Sequence, residues 1–111
     1  MTGSDLLREA WSIWWAVVYF EDSLNESKVR PVIILEDRSA LCLSLKVTSR
    51  EKNDRFHVKI KQWEYAGLDK PSWVDISKIL EIDEKDFKEK IGTLDPEDVF
   101  TIMTRMRYFV R

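Results

Sequence analysis

The chain has 111 residues, 44% of them hydrophobic and 34% charged, with a formal net charge of −2, a balance that suits one compact domain and excludes a disordered chain. No apolar run approaches the roughly 20 residues needed to cross a bilayer, and the near-neutral total argues against indiscriminate nucleic-acid binding. A lone Cys42 and a lone His57 exclude an internal disulfide and a conventional Cys/His zinc site, so no cofactor and no tightly held metal are expected.

Residues 1–10 read as an N-terminal extension whose Asp5 and Glu9 are unlike the basic flank of a signal peptide, and a cytoplasmic address follows as the expectation. Residues 13–20 are aromatic and β-branched and predict a strand that ends in a polar loop over 21–25. Pro31 has no amide hydrogen and fits the start of the next strand, after which residues 32–35 form a short apolar run of the kind buried on both faces. Residues 36–39 make a turn. From Leu41 the period is two, with Leu41, Leu43, Leu45 and Val47 on one face and Cys42, Ser44, Lys46 and Thr48 on the other. The alternation returns over 56–61, turning His57, Lys59 and Lys61 outward, so Thr48 and a basic stretch can share one polar surface.

Residues 65–71 are turn-rich, with Gly67 available for a positive φ, and 72–80 continue as an extended piece. A short helix is expected over 84–91, stopped by a left-handed cap at Gly92. Asp95-Pro96-Glu97-Asp98 then opens a terminal helix over 95–111 with a cap, a proline at the first position and acidic groups at the positive end of the dipole. Its apolar side is Val99, Ile102, Met103, Met106, Phe109 and Val110, most simply core, although such a helix can also pack against a twin. The elements add up to a single mainly β domain over 1–111, a small curved sheet or open barrel with a C-terminal amphipathic helix.

Charge is unevenly spread. Residues 46–61 carry six basic side chains against two acidic, a net of +4, and residues 81–98 carry three lysines against eight acids, a net of −5. The two readings are a pair of solvated faces, or a phosphate-binding side opposite an acidic side. Of Trp11, Trp14, Trp15, Trp63 and Trp73, at least three are expected in the core, because Trp14 and Trp15 must face opposite sides of one strand. The exposed member of that pair, with Trp63 or Trp73, is the candidate for stacking on a base.

In chain order, Ile13-Trp14-Trp15-Ala16, Lys28-Val29-Arg30-Pro31-Val32-Ile33-Ile34-Leu35, Val47-Thr48-Ser49, Ala66-Gly67-Leu68-Asp69-Lys70-Pro71-Ser72 and Lys90-Ile91-Gly92-Thr93-Leu94 resemble the PemK/MazF family of toxins from toxin–antitoxin modules. The resemblance implies an SH3-like barrel with a C-terminal helix, a homodimer, and a metal-independent, sequence-selective endoribonuclease that cuts single-stranded RNA and is restrained by a cognate antitoxin. It assigns Arg30 and Thr48 to the active site. Arginine suits that role because it is always charged and its fork matches phosphate oxygens. The alternatives are a solvated arginine at a strand entry and an edge-strand threonine. Ser49 is a possible second hydroxyl, or simply a loop serine, and Asp75 a possible base. Lys28, Lys46, Arg50, Lys52, Arg55, His57, Lys59 and Trp73 are the expected RNA contacts.

Departures from the family pattern matter as well. Trp11 and Ser12 stand where the family usually has glycine and aspartate, and Asp75 and Ser77 fall at an Arg-x-Asp found in some members. No residue therefore presents itself as the general base, with Glu21, Asp22 and His57 the other candidates. The contrasting function is a relative that has lost its carboxylates and only binds RNA or a protein partner.

Overall fold

A computed structural model describes residues 7–20 and 23–108. Seven strands and one helix form it: β1 (Ser12–Phe20), β2 (Ser23–Asp37), β3 (Leu41–Thr48), β4 (His57–Lys59), β5 (Trp73–Asp75), β6 (Leu80–Asp83), β7 (Phe87–Thr93) and α1 (Pro96–Met106). The strands make one antiparallel sheet in the order β4-β5-β3-β2-β1-β7, with β6 also paired to β3. This is the expected mainly β architecture with a C-terminal helix, and among the described residues the sheet stays open between β4 and β7.

One apolar cluster lies on the face covered by the 61–72 segment and α1, with Ile13, Ile33, Leu45, Val47, Val58 and Ile102 at its heart. A second, with Ala16, Val32, Ile34, Cys42, Ile82 and Phe87, covers part of the opposite face. Ile33 belongs to the first and its neighbours Val32 and Ile34 to the second, so the apolar run of β2 is buried on both sides. The strict alternation expected of β3 holds only in part: Cys42 and Ser44 are buried and Leu41 is exposed. A register shift between Ile34 and Glu36 lets both faces of that end be covered.

β2 is much longer than the expected 31–35 strand and begins inside the residues read as a loop. Proline does not start it. Pro31 sits mid-strand, opposite Trp15 of β1, just before the β2–β3 ladder begins at Val32 and Lys46. One edge of β2 is thus already unpaired at the residue without an N–H, the condition under which a strand tolerates proline. Beyond that point β3 pairs with β5 instead, through Val47–Val74 and Thr48–Trp73. The sheet forks there.

The helix expected over 84–91 does not form. Residues Glu84–Asp86 make a single 3-10 turn, and Phe87–Thr93 is β7, paired to β1. Phe87 and Ile91 have helical spacing, but the open edge of β1 supplies backbone partners that an isolated seven-residue helix lacks. Gly92 is not a helix cap: a Cβ there would lie 2.0 Å from the Ala66 carbonyl oxygen. The facing Gly67 has φ +95° and would bring a Cβ to 2.6 Å from the Ile91 carbonyl oxygen. Two glycines thus let the 61–72 segment lie backbone-to-backbone against β7.

α1 starts as its sequence dictates, with the Asp95 side chain accepting the Glu97 amide and Pro96 in the first turn. Val99, Ile102 and Met106 pack on the first cluster, whereas Met103 is 46% exposed rather than core. The expected stretch beyond Met106 is a turn at Arg107 and Tyr108, and Phe109, Val110 and Arg111 lie outside the described residues. Asp98 is fully buried, and its two oxygens accept the Lys61 and Gln62 amides at 2.9 Å each, tying the helix to the start of the 61–72 segment.

Candidate functional site: a cationic cleft at the fork of the sheet

Where β2 and β3 part, a cleft of about 860 Å³ opens. Lys28, Arg30 and Pro31 line one side, Lys46, Thr48, Ser49, Arg50 and Lys52 the other, and Gly67, Leu68, Asp69, Lys70 and Ser72 close the end. The lining holds six basic side chains and one carboxylate, Asp69, so its potential is strongly positive although the whole chain is slightly acidic. A second hollow of about 670 Å³ adjoins it, lined by Val18, Tyr19, Phe20, Asp75, Ser77 and Lys78 among others. Arg30 and Lys46 belong to both, so the two hollows form one continuous surface around those cations.

Arg30, which lines both hollows, has no ion-pair partner among the described residues. The Thr48 hydroxyl oxygen accepts the Arg50 amide at 3.1 Å, an ST turn that fixes the side chain and keeps its own proton to donate. The β2–β3 ladder stops at Val32 and Lys46, and past that point Arg30 from β2 and Thr48 from β3 both line the cleft. A guanidinium, a hydroxyl donor and flanking ammonium groups with few acids suit an oxyanion with several acceptor oxygens.

His57 also lines the cleft, from β4, and only 14% of its side chain is exposed. Its Nδ1 lies 2.8 Å from Asp54 Oδ1 and its Nε2 lies 4.0 Å from Asp75 Oδ2. The bond from His57 is the main reason the Asp54 carboxyl titrates below its ordinary range. Asp75 is fixed in turn, since its Oδ1 accepts both the amide and the hydroxyl of Ser77, at 2.9 and 2.6 Å. Among the described residues no three His, Cys, Asp or Glu side chains converge to hold a metal, and no helix is long and apolar enough to span a membrane.

Of the residues singled out in the sequence, Arg30, Thr48, Ser49, Lys28, Lys46, Arg50, Lys52 and His57 meet in the cleft, with Asp75 in the adjoining hollow. Arg55, Lys59 and Trp73 line neither hollow. Lys59 sits over the Trp73 ring at 5.6 Å, and Arg55 lies over Phe56 while its carbonyl accepts a bond from Arg105. Trp15 is the exposed member of its pair, at 37%, and lines the cleft, while Trp14 packs on the second cluster and Trp11 and Trp63 on the first. Glu21 and Asp22 lie outside the described residues. Lys70 and Asp54 had not been singled out. Their signals were a lysine inside the 66–72 turn and an acid three residues before the sole histidine.

Of the positions that depart from the family pattern, Trp11 and Ser12 are structural. Trp11 keeps a positive φ of 70°, the conformation for which glycine is the natural occupant, and its ring packs on the first cluster. Ser12 is buried; its hydroxyl donates to the Glu9 carbonyl and accepts from Trp14 Nε1.

Residues 9–110 match the family described as PemK-like, MazF-like toxin of type II toxin–antitoxin systems. Among solved structures, the Mycobacterium tuberculosis toxin MazF-mt6 superposes with a TM-score of 0.66 at 18% identity, covering 86% of this chain and 93% of that one. MazF in the MazE–MazF structure from Deinococcus radiodurans gives a TM-score of 0.72 at 15% identity over 94% and 96%. An endoribonuclease from a mycobacterial species, in complex with its cognate antitoxin, gives 0.68 at 12% identity over 91% and 92%. No curated sequence is matched.

Proposed function

Because the chain belongs to the PemK-like, MazF-like toxins of type II toxin–antitoxin systems, we propose that it is an endoribonuclease that cuts single-stranded RNA at selected sequences without a metal. The observation that carries this reading is the cleft at the fork, where Arg30, without an ion-pair partner among the described residues, lines the same walls as Thr48 and further cations.

The chemistry follows from what a metal-free cut requires. The ribose 2′-oxygen attacks the adjacent phosphorus, the bond to the 5′-oxygen breaks, and a 2′,3′-cyclic phosphate and a 5′-hydroxyl result. Negative charge builds on the non-bridging oxygens of the phosphorane. Arg30 offers a planar pair of N–H donors to them and Thr48 an O–H, and Lys46, which borders both hollows, adds a further positive charge. Lys28, Arg50 and Lys52 hold neighbouring phosphates, and Trp15 offers a ring face to a base beside the cut, a means of selecting sequence.

Its partner in the cell is a cognate antitoxin, a reading supported by the family and by the mycobacterial toxin solved with its antitoxin. Phe100, 72% exposed, and Met103 on the outer side of α1 support a homodimer through that helix. The protein acts in the cytoplasm, where its RNA is.

Incubation of the purified chain with cellular RNA in excess EDTA, followed by mapping of the new 5′ ends, tests the reading. Cuts at one short sequence with 5′-hydroxyl ends are expected. Saturable binding with no new ends would make the chain a binding module instead.

A further inference from the structure

The cleft contains charge and donors but, in the account above, nothing that takes the proton from the attacking hydroxyl. We propose that His57, oriented by Asp54, is the general base of this site; the inference rests on the ribonuclease reading.

The geometry is that of an imidazole held from behind. Asp54 Oδ1 lies 2.8 Å from Nδ1, and a carboxylate there accepts a proton, so the neutral ring carries its hydrogen on Nδ1 and its lone pair on Nε2. Nε2 lies 4.0 Å from Asp75 Oδ2, too far for a hydrogen bond. Asp75 itself borders the hollow that contains Arg30 and Lys46, and His57 borders the cleft that contains Arg30 and Thr48. The ring is therefore tethered at one nitrogen and available at the other, next to the cations expected to hold the phosphate. A histidine that merely bound phosphate would present an N–H there, and a purely structural one would have both nitrogens bonded.

The step balances within the substrate and water. Nε2 takes the 2′-hydroxyl proton as the 2′-oxygen bonds to phosphorus; the P–O5′ bond breaks, the departing oxygen takes a proton from water, and His57 returns its proton to solvent. The imidazolium formed on the way lies between two carboxylates, Asp54 and Asp75, which favour the charge as it appears. The other charged groups that line the cleft with the ring are Lys28, Arg30, Lys46, Arg50, Lys52, Asp69 and Lys70, and Lys59 lies on its own strand. On the α1 side, Arg105 is held by the Arg55 carbonyl. Asp54 is a positioning residue and does not touch the RNA.

The test is single-turnover cleavage of a short RNA containing the mapped site, across pH 5 to 9, by the unaltered chain and by Arg30→Ala, His57→Ala and Asp54→Asn. The unaltered chain is expected to show a rate that rises with one ionisation. His57→Ala is expected to lose about 10²- to 10⁴-fold, to lose that ionisation from its profile, and to regain part of the rate with free imidazole in the buffer. Asp54→Asn is expected to be slower by about tenfold with a displaced profile, because its ring is no longer held in the active tautomer. If Arg30→Ala is inactive while His57→Ala cuts within threefold of the unaltered chain with the same profile, the base is overturned and the nuclease reading stands. If the unaltered chain cuts no RNA, both fall.

Discussion

Two arginines of this protein are treated in opposite ways. Arg8 is surrounded: its guanidinium lies 4.0 Å from the centre of the Phe87 ring and 4.7 Å from that of Trp14, and it pairs with Asp37 and Glu84 at 3.3 and 2.7 Å. Arg30 has cations around it and no carboxylate partner among the described residues. A cation enclosed by acids and aromatic faces has its field cancelled and serves the fold. One kept among like charges has an unmet demand for anions and serves a site. The same contrast explains the acidic run of 81–98. Asp83 caps the 3-10 turn, Glu84 pairs with Arg8, Asp95 caps α1 and Asp98 anchors the 61–72 segment, so much of that charge is used in structure.

Giving Arg30 what Arg8 has should break the contrast most severely. Thr48→Glu places a carboxylate across the cleft, removes a donor and cancels one charge. Cleavage should fall by at least about 10³-fold, measured as initial rate on a defined RNA, with the melting temperature little changed.

Arg8→Ala should do the reverse. It strips two ion pairs and two aromatic contacts from a side chain only 10% exposed, so stability should drop by about 1–3 kcal/mol. Urea unfolding measures this, and the cleavage rate of the folded protein should not move. A lost rate with unchanged stability would mean that the surroundings of the two arginines are not independent.

The smallest effect concerns pH. Asp54 titrates below its ordinary value of 3.8, chiefly because of its bond to His57. A carboxyl whose folded value is depressed contributes stability that is complete above the unfolded value and lost as pH falls through the folded one. Acid unfolding of Asp54→Asn should therefore lack a small loss seen below about pH 4 in the unaltered chain.

Much of the fold was legible because its signals are local. The aromatic β1, the both-sides-buried run of β2 and the Asp95-Pro96 start of α1 depend on near neighbours, and each formed. β7 was not legible, since Phe87 and Ile91 mimic a helix face and only the unpaired edge of β1, over seventy residues upstream, makes a strand the better solution. Pro31 was half legible: its missing N–H marked a break, but in the ladder to β3 rather than in β2 itself. In the site, Arg30 and Thr48 could be named from their motifs. The contact of His57 with Asp75 could not, because it exists only through the pairing of β4 with β5.

The central claim is that an uncompensated Arg30 at the fork neutralises the phosphorane. Single-turnover cleavage by Arg30→Ala, with a melting curve on the same sample, tests it most directly. The expected result is a loss of about 10²- to 10³-fold or more with an unshifted melting temperature. A rate within threefold of the unaltered chain, or a loss explained wholly by unfolding, would contradict it.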